Sequence, residues 1–135
     1  MRIFLDANIL FSAAYSDAAL RRLIKDLEAA SCSLVADRYV FEEALRNLTI
    51  QRTEAVPRLH KLVNLLTIVP TKISSSAIPP DIHLPDKDIP VLASAIEAGC
   101  DILMTGDSRH FGPLFGRTIG GLSIRTPVDT AKRIL

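Results

Sequence analysis

Tryptophan is absent from this chain, and aromatic residues make up only 5% of it. A core without large rings must be built from Leu, Ile, Val and Ala, which suits helices packed on a parallel sheet. An excess of charge of either sign is also missing. Sixteen Lys and Arg against fifteen Asp and Glu leave a net charge of +1. No global field therefore draws in nucleic acid, and such a partner would need a local basic patch. Cysteine is scarce: Cys32 and Cys100 share no ligand spacing, and each sits beside an apolar run. They read as small buried hydrophobes of a reducing, cytoplasmic compartment rather than as a disulfide. No run approaches the roughly 18 apolar residues of a membrane span, and no signal peptide precedes the first strand.

What is present points to a folded α/β protein. The length of 135 residues suits one domain over residues 1–135, large enough for a real core. The hydrophobic share of 48% and mean hydropathy of +0.25 exclude a disordered chain. Apolar runs predict strands at Arg2–Leu5, Ser33–Ala36, Leu66–Val69, Ile102–Met104 and Leu122–Arg125. Helical spacing predicts helices over Ile9–Ser16, Asp17–Ala30, Asp37–Leu48, Ala55–Asn64 and Pro127–Ile134. A further helix starts at Asp88 as its cap, carries Pro90 in its first turn and stops at Gly99. Thr71–Pro85 reads as a connection, and Phe111–Phe115 as a single turn. The alternation implies a three-layer α/β/α fold with a parallel sheet of about five strands.

Two short patterns stand out in that frame. Asp6-Ala7-Asn8 directly follows Ile3-Phe4-Leu5, and Thr105-Gly106-Asp107-Ser108 directly follows Ile102-Leu103-Met104. An Asp after a strand often only forms a turn or caps a helix. Here two of them fall at strand carboxyl ends, where open α/β sheets bind their ligands. Two like charges brought close repel unless a cation or a proton sits between them. Asp88 adds a third acid, and Asp86 a fourth in a loop. Glu42 and Glu43 flank the apolar stripe of their helix about equally, so periodicity alone does not choose between them.

These segments resemble the successive motifs of the PIN-domain ribonucleases. The likeness runs through Asp6-Ala7-Asn8, Glu43-Ala44-Leu45-Arg46-Asn47-Leu48, Asp88-Ile89-Pro90-Val91-Leu92-Ala93-Ser94-Ala95-Ile96 and Leu103-Met104-Thr105-Gly106-Asp107. Each motif alone is weak; four in order are fairly specific. The resemblance implies an acidic pocket of Asp6, Glu43, Asp88 and Asp107 that binds Mg²⁺ or Mn²⁺, with Asp6, Asp88 and Asp107 on the metal. It prefers Glu43, because the family's Glu stands five residues before a Leu, here Leu48. Asn8 and Thr105 match polar neighbours of the pocket, and Asp86 stands where some members carry an extra acid. Pro90 departs from the commoner pattern and bears on the pose of Asp88. The resemblance further implies an RNA substrate and a homodimer. Many small prokaryotic members are toxins held by an antitoxin, and this chain is of that size.

The chemistry asks for such residues. Hydrolysis of a phosphodiester passes through a negatively charged, five-coordinate phosphorus, and a hard dication relieves that charge. Mg²⁺ takes oxygen ligands and retains waters, so carboxylates suffice and His60, His83 and His110 are not required. Without metal, at least one acid should have a raised pKa. Arg46, Arg109, His110, Lys72 and Lys87 lie near the motifs and are the cations available to phosphates, though each also reads as a solvated surface charge.

Rival readings fit less well. A haloacid-dehalogenase-type phosphatase needs a second Asp where Asn8 stands, and an amide does not shuttle the leaving-group proton. A phosphoacceptor receiver domain needs an Asp after the third strand, where Pro70-Thr71 follow. A PIN-like module that binds RNA or protein with little turnover would be marked by loss of pocket acids, and all four are in place.

Overall fold

Arg2–Leu5 forms β1, whose three inner residues are fully buried. Strands buried on both faces read as continuous apolar runs, and β1 obeys that rule. The computed structural model describes residues 1–135. After β1 come α1 (Ala7–Tyr15), α2 (Ala18–Ala29), β2 (Ser33–Asp37), α3 (Arg38–Gln51) and α4 (Val56–Val63). They are followed by β3 (Thr67–Val69), α5 (Ile89–Glu97), β4 (Ile102–Met104) and α6 (Ser108–Phe111). The chain closes with β5 (Thr118–Ile119), β6 (Leu122–Arg125) and α7 (Pro127–Ile134). No helix is long and apolar enough to cross a membrane.

The sheet has six strands in the order β3-β2-β1-β4-β6-β5. All pairings are parallel except β5 with β6. Right-handed crossovers place α1 to α4 on one face, because β1, β2 and β3 succeed one another in one direction. The chain then reverses to β4 and lays α5 on the other face. Contacts between α2 and α7 return the last helix to the first face. The reversal makes the β1–β4 boundary the switch point, where a crevice opens beyond the strand ends. One apolar cluster runs through both faces, with Phe4 and Phe111 its bulkiest fully buried members.

The expected α/β/α fold is present, with one strand more than expected. Thr118–Ile119 pairs back on Leu122–Ser123 through Gly120-Gly121. Both glycines have positive φ, 56° and 83°, the backbone that a tight two-residue hairpin demands. Two residues are too few to show an alternating pattern, so only the Gly-Gly pair signalled this strand. Several bounds also move. α3 runs on to Gln51, and α1 begins at Ala7 rather than Ile9. Gly99 ends the α5 region as expected, at φ 69°, with Gly99 N–H donating to the Ile96 carbonyl at 2.9 Å.

Candidate active site

Asp6 stands one residue past β1, and its own N–H donates to the Met104 carbonyl of β4 at 3.1 Å. Its carboxylate caps α1, where Oδ1 accepts from Ala7 N–H at 2.7 Å. Oδ2 accepts from the Thr105 hydroxyl at 2.8 Å and from the Asn8 amide at 2.9 Å. The expected cap is present, and the same side chain ties the β1 and β4 strand ends together. Asn8 then bridges the two strand ends: its Oδ1 accepts from Gly106 N–H at 2.7 Å. A Cβ at Gly106 would stand 3.2 Å from that oxygen, so glycine keeps the approach open.

Asp107 follows β4 and caps α6, with Oδ1 accepting from His110 N–H at 3.0 Å. Asp88 behaves otherwise than expected. It stands at the head of α5, but its φ and ψ are −94° and −17°, and its side chain makes no capping bond. Pro90 has no N–H to offer, which removes one of the donors a cap would take. The Asp88 carboxylate is therefore left to the pocket, where Oδ2 is buried without a hydrogen-bond partner. Tyr39 fixes the approach to it, its hydroxyl donating to the Lys87 carbonyl at 2.8 Å. Asp37, fully buried at the end of β2, holds the head of α3 by accepting from Val40 N–H at 3.0 Å. One turn further, that helix presents Glu43.

Together these segments line a cavity of about 240 Å³ whose walls include Asp6, Asn8, Phe11, Glu43, Asn47, Lys87, Asp88 and Asp107. Glu42 is outside it and pairs with the exposed Arg38 at 2.6 Å. The rotation of α3 thus turns Glu43, and not Glu42, toward the cavity of the three aspartates, while both line the adjoining one. Asp86 is exposed and does not line the cavity. Thr105 is fully buried and supports Asp6 from behind. Of the cations, Lys87 lines the same cavity, while Arg46 lines an adjoining cavity of about 440 Å³ that shares Glu43. Phe111 is fully buried in the core and stacks on nothing in the crevice.

His110 is the residue that the sequence reading undervalued. Its Nδ1 stands 2.9 Å from Asp107 Oδ2 and 3.0 Å from Asp88 Oδ2. Both are ion-pair distances for a protonated ring, although Nδ1 meets the alignment of a hydrogen bond to neither oxygen. The only sequence signal was its place three residues after Asp107, which one helical turn converts into proximity.

The electrostatics follow the geometry. Burial pushes the Asp6 pKa up to about 6, with Asp88 and Glu43 adding smaller repulsions and the Thr105 and Ala7 bonds opposing. Asp88 is also raised, again chiefly by burial, against the pull of His110 and Lys87. Raised acids were expected, but from mutual repulsion; desolvation is the larger cause. Cys32 and Cys100 are buried and unpaired, as expected.

Solved structures with this arrangement of strands are at hand. The chain is similar to VapBC2 from Rickettsia felis, solved bound to a DNA fragment from their promoter, at 16% identity and a TM-score of 0.67. That likeness covers 93% of this chain and 98% of the other. It is also similar to VapBC-1 from nontypeable Haemophilus influenzae, at 12% identity and a TM-score of 0.60, over 95% of this chain and 99% of that one. At these identities the likeness is one of fold. No curated protein matches the chain by sequence. Residues 2–109 match the family model described as PIN domain, from β1 into α6 and across every pocket acid. With most of its length so matched, this chain belongs to the PIN-domain family.

Proposed function

We propose that the protein is a metal-dependent ribonuclease that hydrolyses RNA phosphodiester bonds at the Asp6–Glu43–Asp88–Asp107 pocket. The observation that carries this reading is the convergence of these acids on one cavity at the β1–β4 switch point, with Asp88 Oδ2 buried and unpartnered. A buried carboxylate oxygen without a donor is a poor resting place for charge and a good ligand for a hard cation. The donor set therefore fits Mg²⁺ or Mn²⁺, held by Asp6, Asp88 and Asp107. Such an ion supplies charge neutralisation at the phosphorus and a water of lowered pKa.

The remaining steps belong to the side chains. Glu43 faces the cavity from α3 and orients the attacking water, taking up its proton as the new P–O bond forms; the old P–O bond breaks, and the departing ribose oxygen takes a proton from solvent. Thr105 and Asn8 hold Asp6 Oδ2 in place, so the carboxylate need not reorganise. Arg46, in the adjoining cavity, takes a neighbouring phosphate. The likeness to VapBC2 and VapBC-1 supports a further reading: the toxin of a toxin–antitoxin pair, held by an antitoxin protein. A cytoplasmic homodimer completes this proposal on the family resemblance alone. Expression of the chain alone should then arrest growth, and a small DNA-binding protein should be encoded beside it.

The direct test is cleavage of several single-stranded and structured RNAs with Mg²⁺ or Mn²⁺ and with chelator. Metal-dependent cleavage that is lost in Asp107→Asn supports the assignment. RNA binding without cleavage under any metal would instead favour a binding module.

A further inference from the structure

The wall of the pocket formed by Asp88 and Asp107 carries a nitrogen among its oxygens. His110 Nδ1 lies 2.9 Å from Asp107 Oδ2 and 3.0 Å from Asp88 Oδ2. These are also the distances of an ion pair to a protonated ring, yet both Nδ1 and Asp88 Oδ2 are closed off from solvent and neither is in an aligned hydrogen bond. One ligand atom from each of the three residues lies within 4.8 Å of the others. Adjacent ligands of an octahedral ion at about 2.0–2.2 Å stand √2 times that distance apart, roughly 2.8–3.1 Å. The two nitrogen–oxygen spacings fall on that edge length. Asp107 fixes the arrangement by dividing its oxygens. Oδ1 caps the His110 backbone at 3.0 Å, and Oδ2 faces the His110 ring. Buried Phe111 anchors the same turn in the core.

We propose that His110 Nδ1 is a direct metal ligand, forming with Asp88 and Asp107 a mixed nitrogen–oxygen site that takes Mn²⁺ in preference to Mg²⁺. The inference rests on the reading of the pocket as a metal site and adds the class of ion. Imidazole suits first-row transition ions, whereas Mg²⁺ favours oxygen alone. The ring must be neutral to bind, so loading the site releases any proton held on Nδ1.

The experiment uses the purified full chain, with Mn²⁺ alone and Mg²⁺ alone as probes. Pulsed EPR of the Mn²⁺-loaded chain should show coupling to a directly bound nitrogen. The coupling should persist in the His60→Gln/His83→Gln chain, where His110 is the one histidine left of three. It should vanish in His110→Asn with Mn²⁺ still bound. By calorimetry, His110→Asn should weaken Mn²⁺ binding at least about tenfold, the least expected for a group that tunes a metal site, and change Mg²⁺ binding little. Bound Mn²⁺ without nitrogen coupling in the His60→Gln/His83→Gln chain overturns the proposal and leaves the metal pocket standing. If the unmodified chain binds neither ion, the pocket reading itself falls, and the proposal with it. Should His110→Asn not fold, the His60→Gln/His83→Gln chain still decides the matter by presence or absence of the coupling.

Discussion

The two walls of the acidic pocket are built on opposite plans. Around Asp6 both carboxylate oxygens are bonded, one to Ala7 N–H and the other to Thr105 and Asn8. Around Asp88 the inward oxygen is in no aligned hydrogen bond, and its one close partner is His110 Nδ1 at 3.0 Å. Burial raises the pKa of both acids, so charge alone does not separate them. Hydrogen bonding does. The Asp6 wall is completed by folding, because its donors come from the same two strand ends that place it. The Asp88 wall holds only the His110 ion pair, and the metal proposed above would complete it.

The largest effect that can break this comparison lies in the open wall. Asp107→Asn keeps an oxygen for the His110 cap but removes a charge from the cavity. Metal-dependent RNA cleavage should fall at least about 10³-fold, some 4 kcal/mol of barrier, with unchanged circular dichroism. Asp6→Asn should abolish cleavage as well. Full activity in either would remove that residue from the site.

Next is the pH dependence of the metal-free fold. Asp6 titrates near 6 when folded, against an ordinary value of 3.8. Between those values the folded state holds the proton more tightly than the unfolded chain, so stability falls as pH rises through that window. In chelator, the stability of the unmodified chain relative to Asp6→Asn should drop by about 2.4 kcal/mol from pH 4 to pH 7.5. Denaturant unfolding at both pH values checks it. A flat difference would show that the bonded wall solvates its charge fully.

A smaller effect sharpens the contrast directly. Thr105→Val keeps the shape but removes the hydroxyl that donates to Asp6, and should cost about 1–3 kcal/mol of stability. Asp88→Asn in the same metal-free assay should cost nothing, since burial, which disfavours the Asp88 charge, outweighs the pull of His110 and Lys87. Equal losses in the two would erase the distinction between the walls. The smallest expected effect concerns neighbours on one helix. Glu42→Gln breaks only an exposed pair with Arg38, should shift stability by less than about 0.5 kcal/mol and should leave cleavage intact. Glu43→Gln should abolish cleavage. Reversed results would show that α3 presents its other side.

Much of this was legible in the chain. Buried parallel strands are continuous apolar runs, so β1 and β4 and the acids just past them could be read directly. The helix expected over Asp17–Ala30 is present as α2, with Asp17 capping it by accepting from Leu20 N–H at 2.9 Å. The hairpin of β5 was harder, because two residues carry no period. The cap expected of Asp88 failed for a local reason: its backbone is already helical, and that rotates the carboxylate away from the N–H groups behind it.

The sequence by itself determined the order of elements, the acids at the strand ends and membership of the family that these motifs mark. Such features are local, written in apolar periodicity and in turn residues. Only the tertiary structure decided that Glu43 rather than Glu42 faces the cavity, that Asp88 is left unbonded, and that His110 stands between two carboxylates. The physical reason is separation along the chain. Thr105 and Asp6 meet across 99 positions, and His110 reaches Asp88 from another element. Contacts of that kind are set by how helices rotate and strands cross, which no local pattern encodes.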